Sequence, residues 1–425
     1  MLSKILIAGT CVRAYLESAL AARFEVQALD LFADWDAQAS FRHFRAETGE
    51  IRQIKSFDKI QPWVDSKNAE FALISGGIET RNQLVRQIGT RAKLLGPNAE
   101  QLARICNSVK LYPAMRAKLS EFGGMIPKTR HQAIGLAPET QWLRKRIGSS
   151  GGVGMERLQS AHLLAAETDD QEFYVQEFVS GKNISVLFVS DDAAGTTAAM
   201  GATKQLVGTT ATGSLPFQYS GSIGPFSIDQ LGQETKRQIC MIGQYLGSEY
   251  QLAGVWGVDF IVNEQGAWPV DVNPRLTAST ELFESRIAQT GRFKSAVDLH
   301  VFACGVRGHL EQDLKSEELL RKPINWSLQA SAEGKAILFN QSPSRIKIGS
   351  ALAKELIRNH DPSFFASSDC PFSLADIPNT GVTIGPREPI LTIRVRCKSH
   401  AEVERQLTNQ TTRIYKLLST MASTN

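Results

Sequence analysis

Short apolar runs alternate with amphipathic segments along the first hundred residues. Each apolar run is followed by a turn and predicts a buried strand; the runs are residues 5–8, 26–29, 71–75 and 93–95. Apolar residues at helical spacing predict helices between them, at 12–22 and 79–89. Strands that alternate with helices form parallel sheets covered by helices. We therefore predict a Rossmann-like N-terminal α/β domain over residues 1–98.

The pattern changes after Pro97, where a helical stretch runs to about Phe122. Short strands then flank a glycine-rich loop at 148–154, and we predict them at 142–145, 173–179, 184–189, 255–263 and 267–273. From about residue 310 a charged helix follows, with further strands at 336–339 and 390–395. We therefore predict a central core over 99–309 and a C-terminal α+β module over 310–425.

The two strands near residue 260 allow a register to be worked out. If residues 264–266 form a three-residue hairpin loop, Asn263 pairs with Ala267, and Asp259 lies opposite Asp271. Side chains alternate along a strand, so Asn273 shares the face of the two aspartates. The other face is apolar and suits a core; it carries Val258, Phe260, Val262, Trp268, Val270 and Val272.

Directly opposed carboxylates destabilise a sheet unless something neutralises them. Asp259, Asp271 and Asn273 supply hard oxygen ligands, which suit Mg²⁺ that is also bound by substrate phosphates. A solvated hairpin edge with two unrelated aspartates is the alternative, and the pair alone does not decide between them.

The glycine-rich loop is a candidate phosphate site. Its backbone N–H groups can surround a phosphate, and Ser149 and Ser150 can add hydroxyl donors. The loop is not a Walker A sequence, because no Gly-Lys-Ser/Thr follows it. Lys145 lies just before the loop, and Lys110 is a second candidate phosphate ligand. A flexible connection and a solvated lysine are the simpler interpretations of these features.

Arg275 follows the turn after Asn273 and would emerge beside the predicted metal. A guanidinium there can contact a phosphoryl group or a substrate carboxylate at two points. A structural salt bridge is the alternative for this residue.

Composition narrows the classes of partner. The 425 residues are 42% hydrophobic and 21% charged, with a net charge of +4. This small charge does not indicate a nucleic-acid-binding protein. No apolar stretch approaches the roughly 20 residues that span a bilayer, and the N-terminal apolar run is too short for a signal peptide. We expect a cytoplasmic protein that acts on small molecules, without nucleic-acid or membrane partners.

Taken in order, these motifs resemble the ATP-grasp superfamily. The segment from Gly257-Val258-Asp259-Phe260 to Asp271-Val272-Asn273-Pro274-Arg275 is similar to its metal-binding segment. Within the superfamily, the chain resembles the group of predicted ATP-dependent carboligases related to biotin carboxylase. That likeness covers nearly the whole chain and rests on ALDLFAD at 28–34, KQL at 204–206, FQYSGSIGP at 217–225, NPRLTASTE at 273–281 and the tail at 375–392.

The resemblance implies an ATP-grasp fold with a small lid domain at about 125–180 and a larger metal-binding domain. ATP would lie between these two, and its phosphates would contact Lys110, Lys145, Ser149, Ser150, Gly151, Gly152 and Gly154. The adenine would lie against Gln176, Glu177, Phe178 and Val179. One or two Mg²⁺ ions, with Mn²⁺ as the alternative, would bind Asp259, Asp271 and Asn273.

Two positions depart from the superfamily pattern. Arg146 stands where proline is common, and Asp271 stands where glutamate is commoner. Neither change removes a functional group that the chemistry needs, so we expect an active site.

The resemblance implies an ADP-forming ligase that phosphorylates a carboxylate and passes the acyl group to an amine or thiol. Arg275 and Lys145 are the expected catalytic residues, and Lys204 and Glu281 are candidates for the acceptor site. Some members of the group are associated with tetrahydromethanopterin- or methanofuran-linked metabolism, which suggests a role in coenzyme biosynthesis. A homodimer is a candidate assembly of the protein.

Two other functions stay open. One is carboxylation through carboxyphosphate. If that reaction depends on biotin, it needs a separate biotin carrier, because the chain has no Met-Lys-Met turn. The other is an ATP sensor that binds the nucleotide without turning it over.

Overall fold

The computed structural model describes residues 3–65, 68–132, 136–137, 139–158, 172–191, 195–306, 324–326, 331–365, 371–421 and 423–424. Parts of the predicted lid (159–171) and of the predicted C-terminal module (310–323) therefore lie outside the described residues. Among the described residues, no helix is both long and apolar enough to cross a membrane.

The N-terminal part is a five-stranded parallel sheet in the order β3-β2-β1-β4-β5. Its strands are β1 (Lys4–Gly9), β2 (Glu25–Asp30), β3 (Glu50–Gln53), β4 (Phe71–Ile74) and β5 (Lys93–Leu94). The connecting helices are α1 (Arg13–Ala21), α2 (Trp35–His43), α3 (Gln61–Asp65) and α4 (Asn82–Gly89). The predicted parallel sheet is confirmed. Strand β3 was missed because it is a polar, largely exposed edge strand without an apolar run.

Two helices and a four-stranded antiparallel sheet come next. The predicted helical stretch is interrupted at Cys106–Asn107 and forms α5 (Ala99–Ile105) and α6 (Ser108–Leu119). The sheet has the order β6-β9-β7-β8 and carries the glycine-rich loop between β7 and β8. Its strands are β6 (Thr129–Arg130), β7 (Trp142–Arg146), β8 (Glu156–Arg157) and β9 (Phe173–Glu177).

The largest element is an eight-stranded sheet in the order β14-β13-β10-β11-β12-β15-β19-β17. Its strands are β10 (Lys182–Ser190), β11 (Thr197–Val207), β12 (Tyr219–Phe226), β13 (Gly254–Asn263), β14 (Gly266–Asn273), β15 (Ala332–Phe339), β17 (Phe372–Ala375) and β19 (Pro389–Cys397). Strands of the predicted core and of the predicted C-terminal module are thus hydrogen-bonded into one sheet, through β12 and β15.

Helices and a small sheet complete the described fold. The helices are α7 (Gln233–Glu249), α8 (Glu284–Gln289), α9 (Ala296–Ala303), α10 (Ser350–Arg358) and α11 (His400–Met421). The small sheet consists of β16 (Ile346–Lys347), β18 (Thr383–Ile384) and β20 (Ser423–Thr424). Helix α11 packs on the large sheet through buried Val403, Leu407, Ile414 and Leu418.

A buried group of charges joins all three predicted parts of the chain. The Arg13 guanidinium at the start of α1 is 2% exposed. It donates to Glu17 at 2.9 Å, Glu281 at 2.8 Å and Asp376 at 2.7 Å. Lys335 donates to the second oxygen of Glu281 at 2.6 Å. We call Arg13, Glu17, Glu281, Lys335 and Asp376 the Arg13 network.

Candidate active site

The β13–β14 hairpin places the two aspartates opposite each other, as predicted, but by another route. Its loop has two residues instead of three, and Asn263 pairs with Gly266 rather than Ala267. A β-bulge at Val270 adds one residue to β14 and restores the pairing of Asp259 with Asp271. The wrong loop length and the unforeseen bulge cancel, because each shifts the register by one residue.

The bulge also changes the faces of the hairpin. Val258 and Phe260 lie in the core as predicted, with Val262 and Val272 packed at its margin. Ala267 takes the core position expected of Trp268. Val270 lies in the wall of the cleft instead of the core.

The carboxylates of Asp259 and Asp271 face an open cleft together with Asn273. Enclosure by the cleft walls and the neighbouring Asp259 carboxylate raise the pKa of Asp271 to about 6, although this side chain is open to the cleft. The Asn273 amide nitrogen donates to Asp259 at 3.4 Å, and its oxygen accepts from Arg275 at 3.2 Å, so one lone pair of that oxygen is left for a cation. Two carboxylates and an amide oxygen at one wall fit a divalent cation of the Mg²⁺ or Mn²⁺ type.

Lys145 projects from β7 toward the hairpin and is 6% exposed. Its Nζ donates to the Gln176 side-chain oxygen at 2.7 Å and to the Val270 carbonyl at 2.8 Å. The extra residue of a bulge lies outside the regular ladder, so its carbonyl can accept this bond. Burial lowers the pKa of Lys145, and the Asp271 and Asp259 carboxylates oppose that effect.

The glycine-rich loop covers one side of the cleft. Ser149, Ser150, Gly151 and Gly152 line the cleft, whereas Gly154 lines a neighbouring hollow. Gly151, Gly152 and Gly154 have φ values of +67°, +77° and +75°. These left-handed conformations favour glycine, which explains the composition of the loop. Lys110 is exposed at the cleft near the start of α6.

The segment at 176–179 lines the cleft where β9 ends. Gln176 is fully buried and is held by Lys145 and by a 3.2 Å bond to Thr129. Glu177 accepts from the Lys128 amide at 3.0 Å. Phe178 lies under the Arg157 guanidinium, 3.9 Å from its ring centroid, and Val179 follows it in the wall.

Arg275 is buried at the cleft wall and forms a structural ion pair. Its Nε donates to Glu79 at 2.8 Å, and its Nη2 donates to Asn273 at 3.2 Å. Glu79 comes from the turn after β4 and was not predicted from the sequence. The other oxygen of Glu79 is buried and has no hydrogen-bond partner among the residues that the structure describes. The rule that ligands bind where a parallel sheet reverses its strand order would have directed attention to this turn.

Two candidate acceptor residues lie elsewhere. Lys204 pairs with Glu404 at 3.1 Å on the exposed surface and does not line the cleft. Glu281 belongs to the Arg13 network and also does not line the cleft. Against the burial that would raise it, Lys335 and Arg13 hold the pKa of Glu281 well below its usual range. Both side chains are engaged in ion pairs outside the cleft, and their assignment to an acceptor site stays a prediction.

The cleft has a volume of about 970 Å³ and lies between the β6–β9 sheet, the eight-stranded sheet and the turn after β4. This volume is at the upper end of the range for small-molecule sites, about 300–1,000 Å³. The cleft brings together Lys110, Lys145, the loop residues 149–152, the 176–179 segment, Asp259, Asp271, Asn273 and Arg275.

Known proteins share this architecture. Residues 110–279 match the ATP-grasp domain family. An uncharacterized protein of Methanocaldococcus jannaschii is 22% identical over 303 residues, which cover 67% of this chain and 71% of the relative.

Two solved structures are similar over nearly the full length. The N5-carboxyaminoimidazole ribonucleotide synthetase of Thermotoga maritima is 14% identical, with a TM-score of 0.60, over 97% of this chain and 98% of that one. The biotin carboxylase domain of the Hydrogenobacter thermophilus 2-oxoglutarate carboxylase is 11% identical, with a TM-score of 0.65, over 100% of this chain and 91% of that one. The chain therefore contains an ATP-grasp domain at residues 110–279 and shares its fold with these two proteins along nearly its full length.

Proposed function

We propose that the protein is an ADP-forming ligase that activates a carboxylate with ATP and joins it to an amine. The observation that carries this proposal is the convergence in one cleft of Lys145, Arg275, the glycine-rich loop and the opposed aspartates. A site that only sensed ATP would not need both a divalent-metal set and a buried arginine beside it.

The nucleotide would lie along the cleft with its adenine against Phe178 and Val179 and its phosphates under the glycine-rich loop. Lys145 and Lys110 would bind phosphate oxygens, which carry most of the charge that must be neutralised. Lys145 is buried and held at two points, so its ammonium is oriented before the nucleotide arrives.

Asp259, Asp271 and Asn273 would hold one or two Mg²⁺ ions. A bound Mg²⁺ supplies electrostatic stabilisation of the phosphates and a fixed template for in-line transfer. The repulsion between the two opposed carboxylates makes this wall selective for a cation.

The γ-phosphoryl group would pass to the carboxylate oxygen of the acid, breaking the bond to ADP and forming an acylphosphate. Arg275 would stabilise the charge on the transferred group. The amine would then attack the acyl carbon and release phosphate. The Glu79 oxygen that has no partner among the described residues would accept an N–H of that amine, and the acceptor would then lie between the cleft and the N-terminal sheet.

Carboxylation is the second candidate, with bicarbonate as the acid and carboxyphosphate as the intermediate. It is favoured by the similarity to a biotin carboxylase domain in complex with MgADP and bicarbonate. The first step is the same in both candidates, and the acid distinguishes them. The proposed setting in coenzyme biosynthesis, a thiol as the alternative acceptor and a homodimeric assembly rest on the resemblance alone.

The test is ADP and phosphate release with MgATP against a panel of acids, each with and without amines, including pterin and furan coenzyme precursors. Assays run in parallel in carbon-dioxide-depleted buffer and with added bicarbonate. Release that requires an organic acid and an amine supports the ligase, and release that requires bicarbonate supports carboxylation. Tight ATP binding without release from any combination would favour a sensor and contradict both.

A further inference from the structure

The segment at 208–218 connects β11 to β12 and lies beside the glycine-rich loop; we call it the strap. It is internally bonded, because the Thr212 and Ser214 hydroxyls both donate to the Thr209 carbonyl, at 2.8 and 3.2 Å. The Gly208 amide donates to the Gln218 carbonyl at 2.9 Å, which closes its two ends. The strap therefore has a defined shape of its own.

One end of the strap is in contact with the glycine-rich loop. The Tyr219 amide, just after the strap, donates to the Gly151 carbonyl at 2.9 Å. At Gly152 the two backbones touch, and a Cβ there would lie 1.9 Å from the Phe217 carbonyl oxygen. No residue larger than glycine fits this contact, so the loop is seated against the strap by its backbone.

The middle of the strap, at 211–213, is held by residues from beyond position 330. Three consecutive carbonyls accept bonds from three separate elements. Gln341 donates to Ala211 at 3.3 Å, and Arg387 donates to Gly213 at 3.3 Å. The Tyr415 hydroxyl of α11 lies 2.6 Å from the Thr212 carbonyl and 2.8 Å from the Phe339 carbonyl.

We propose that Tyr415, Gln341 and Arg387 are positioning residues for the glycine-rich loop, and that they act through the strap. The part of the chain beyond residue 330 thus has a role in nucleotide binding, although these three side chains do not line the cleft. A loop with several left-handed glycines has many alternative conformations, and an external support restricts them. The proposal rests on the proposed function only in assuming that the loop covers the ATP phosphates.

The test is hydrogen–deuterium exchange of a peptide that spans residues 148–157, measured on the full chain without nucleotide. Tyr415→Phe removes the hydroxyl and keeps the ring packed. We expect exchange in this peptide to rise about fivefold, the factor that corresponds to about 1 kcal/mol of lost hydrogen bonding. Arg387→Met, at an exposed position, should also raise the exchange of this peptide. It replaces Tyr415→Phe as the test if that variant does not fold.

Thr412→Ala is the matched control on the same helix, because Thr412 is exposed and its hydroxyl donates to the Thr408 carbonyl one turn earlier. Gly152→Ala is the positive control, because its Cβ would push the loop away from the strap and should raise the exchange of the same peptide. Wild-type exchange in both Tyr415→Phe and Arg387→Met would overturn the proposal, as would wild-type exchange in Gly152→Ala or increased exchange in Thr412→Ala.

A binding measurement separates this proposal from the proposed function. We expect the Kd for MgATP to rise about fivefold in Tyr415→Phe and to stay unchanged in Thr412→Ala. Exchange and binding need no turnover, so a protein without ligase activity could still show both effects. Faster loop exchange with an unchanged Kd would overturn the role in nucleotide binding.

Discussion

At the scale of single residues, the opposed carboxylates of Asp259 and Asp271 dominate the cleft. Their repulsion costs stability in the absence of a cation, and proteins retain such costs at functional sites. The stability and the activity of the protein should therefore respond in opposite directions when one carboxylate is removed.

We predict that Asp271→Ala lowers ATP turnover at least about 100-fold, because a metal ligand is lost. The Tm should stay the same or rise, because the repulsion is relieved. Turnover is measured by ADP release and Tm by calorimetry. Asp229→Ala is the control, since Asp229 forms an exposed ion pair with Lys236. Full turnover in Asp271→Ala would refute the metal assignment.

We predict that Glu79→Gln leaves MgATP binding within about twofold of wild type but lowers the coupled reaction by about 10- to 100-fold. The reason is that Glu79 holds Arg275 and offers its free oxygen to the acceptor, and a charge-assisted bond is worth about 1.5–3 kcal/mol. Calorimetric titration gives the binding, and phosphate release gives the rate. A weakened affinity for MgATP with an unchanged rate would assign Glu79 to the nucleotide instead.

Residue types and spacing predicted that Lys145, Arg275 and the opposed aspartates lie together, and these residues line one cleft. Their roles stay predictions. No sequence pattern indicated Glu79, and none showed that Lys204 and Glu281 lie outside the cleft. The first group lies on strands and turns that are close in sequence, where alternation fixes the face. The Arg13–Glu281 and Lys204–Glu404 contacts join residues 268 and 200 positions apart. Local patterns carry no information about such contacts.

At the scale of elements, α9 connects the two major sheets through His300. Its Nδ1 accepts from the Val255 amide at 2.8 Å, and its Nε2 lies 3.1 Å from the Leu95 carbonyl. Nε2 therefore carries the proton, and the ring is neutral. Burial lowers the pKa of His300 to about 4.

We predict that His300 makes stability fall as the pH decreases. An unfolded histidine has a pKa near 6.5, so the unfolded chain binds more protons than the folded chain between pH 6.5 and 4. The contribution is complete above pH 6.5 and is lost toward pH 4, by up to about 3 kcal/mol. Glutamine can donate and accept hydrogen bonds but does not titrate. His300→Gln should therefore reduce the change of the urea midpoint with pH between pH 6.5 and 4. His43→Gln, at an exposed position, should leave the pH dependence of the urea midpoint unchanged. The same pH dependence in His300→Gln as in the wild type would contradict the prediction.

Most strands and helices could be predicted because their apolar residues recur at a strand or helix period. The exceptions have physical reasons. Strand β3 is polar and at a sheet edge, and the break between α5 and α6 falls where Asn107 caps α6 by accepting from the Lys110 amide at 3.3 Å. The bulge at Val270 follows Pro269, and a proline within a strand indicates either an edge strand or a bulge without deciding between them.

At the scale of the whole molecule, the Arg13 network connects regions that are more than 300 residues apart in sequence. Replacing one member of a buried charge group leaves its partners uncompensated, which is more damaging than losing an exposed pair.

We predict that Arg13→Met lowers the free energy of unfolding by about 3–5 kcal/mol, measured by urea denaturation. Arg86→Met should change it by less than about 0.5 kcal/mol, because Arg86 pairs with Glu100 on the surface at 3.2 Å. Equal effects of the two substitutions would show that the network does not join the parts of the molecule.

The largest hydrophobic core among the described residues is shared between the N-terminal sheet and later parts of the chain. It contains Ile5, Val12 and Leu16 from the N-terminal part together with Leu187, Val255, Phe283 and Val297 from the ATP-grasp part and the helices after it. In a chimera joined at residue 98, the two halves of this core would come from different parent proteins, and their side chains would not be matched in shape. Recombination with a protein of the same fold should therefore succeed only when α9 and the N-terminal sheet are inherited from the same parent.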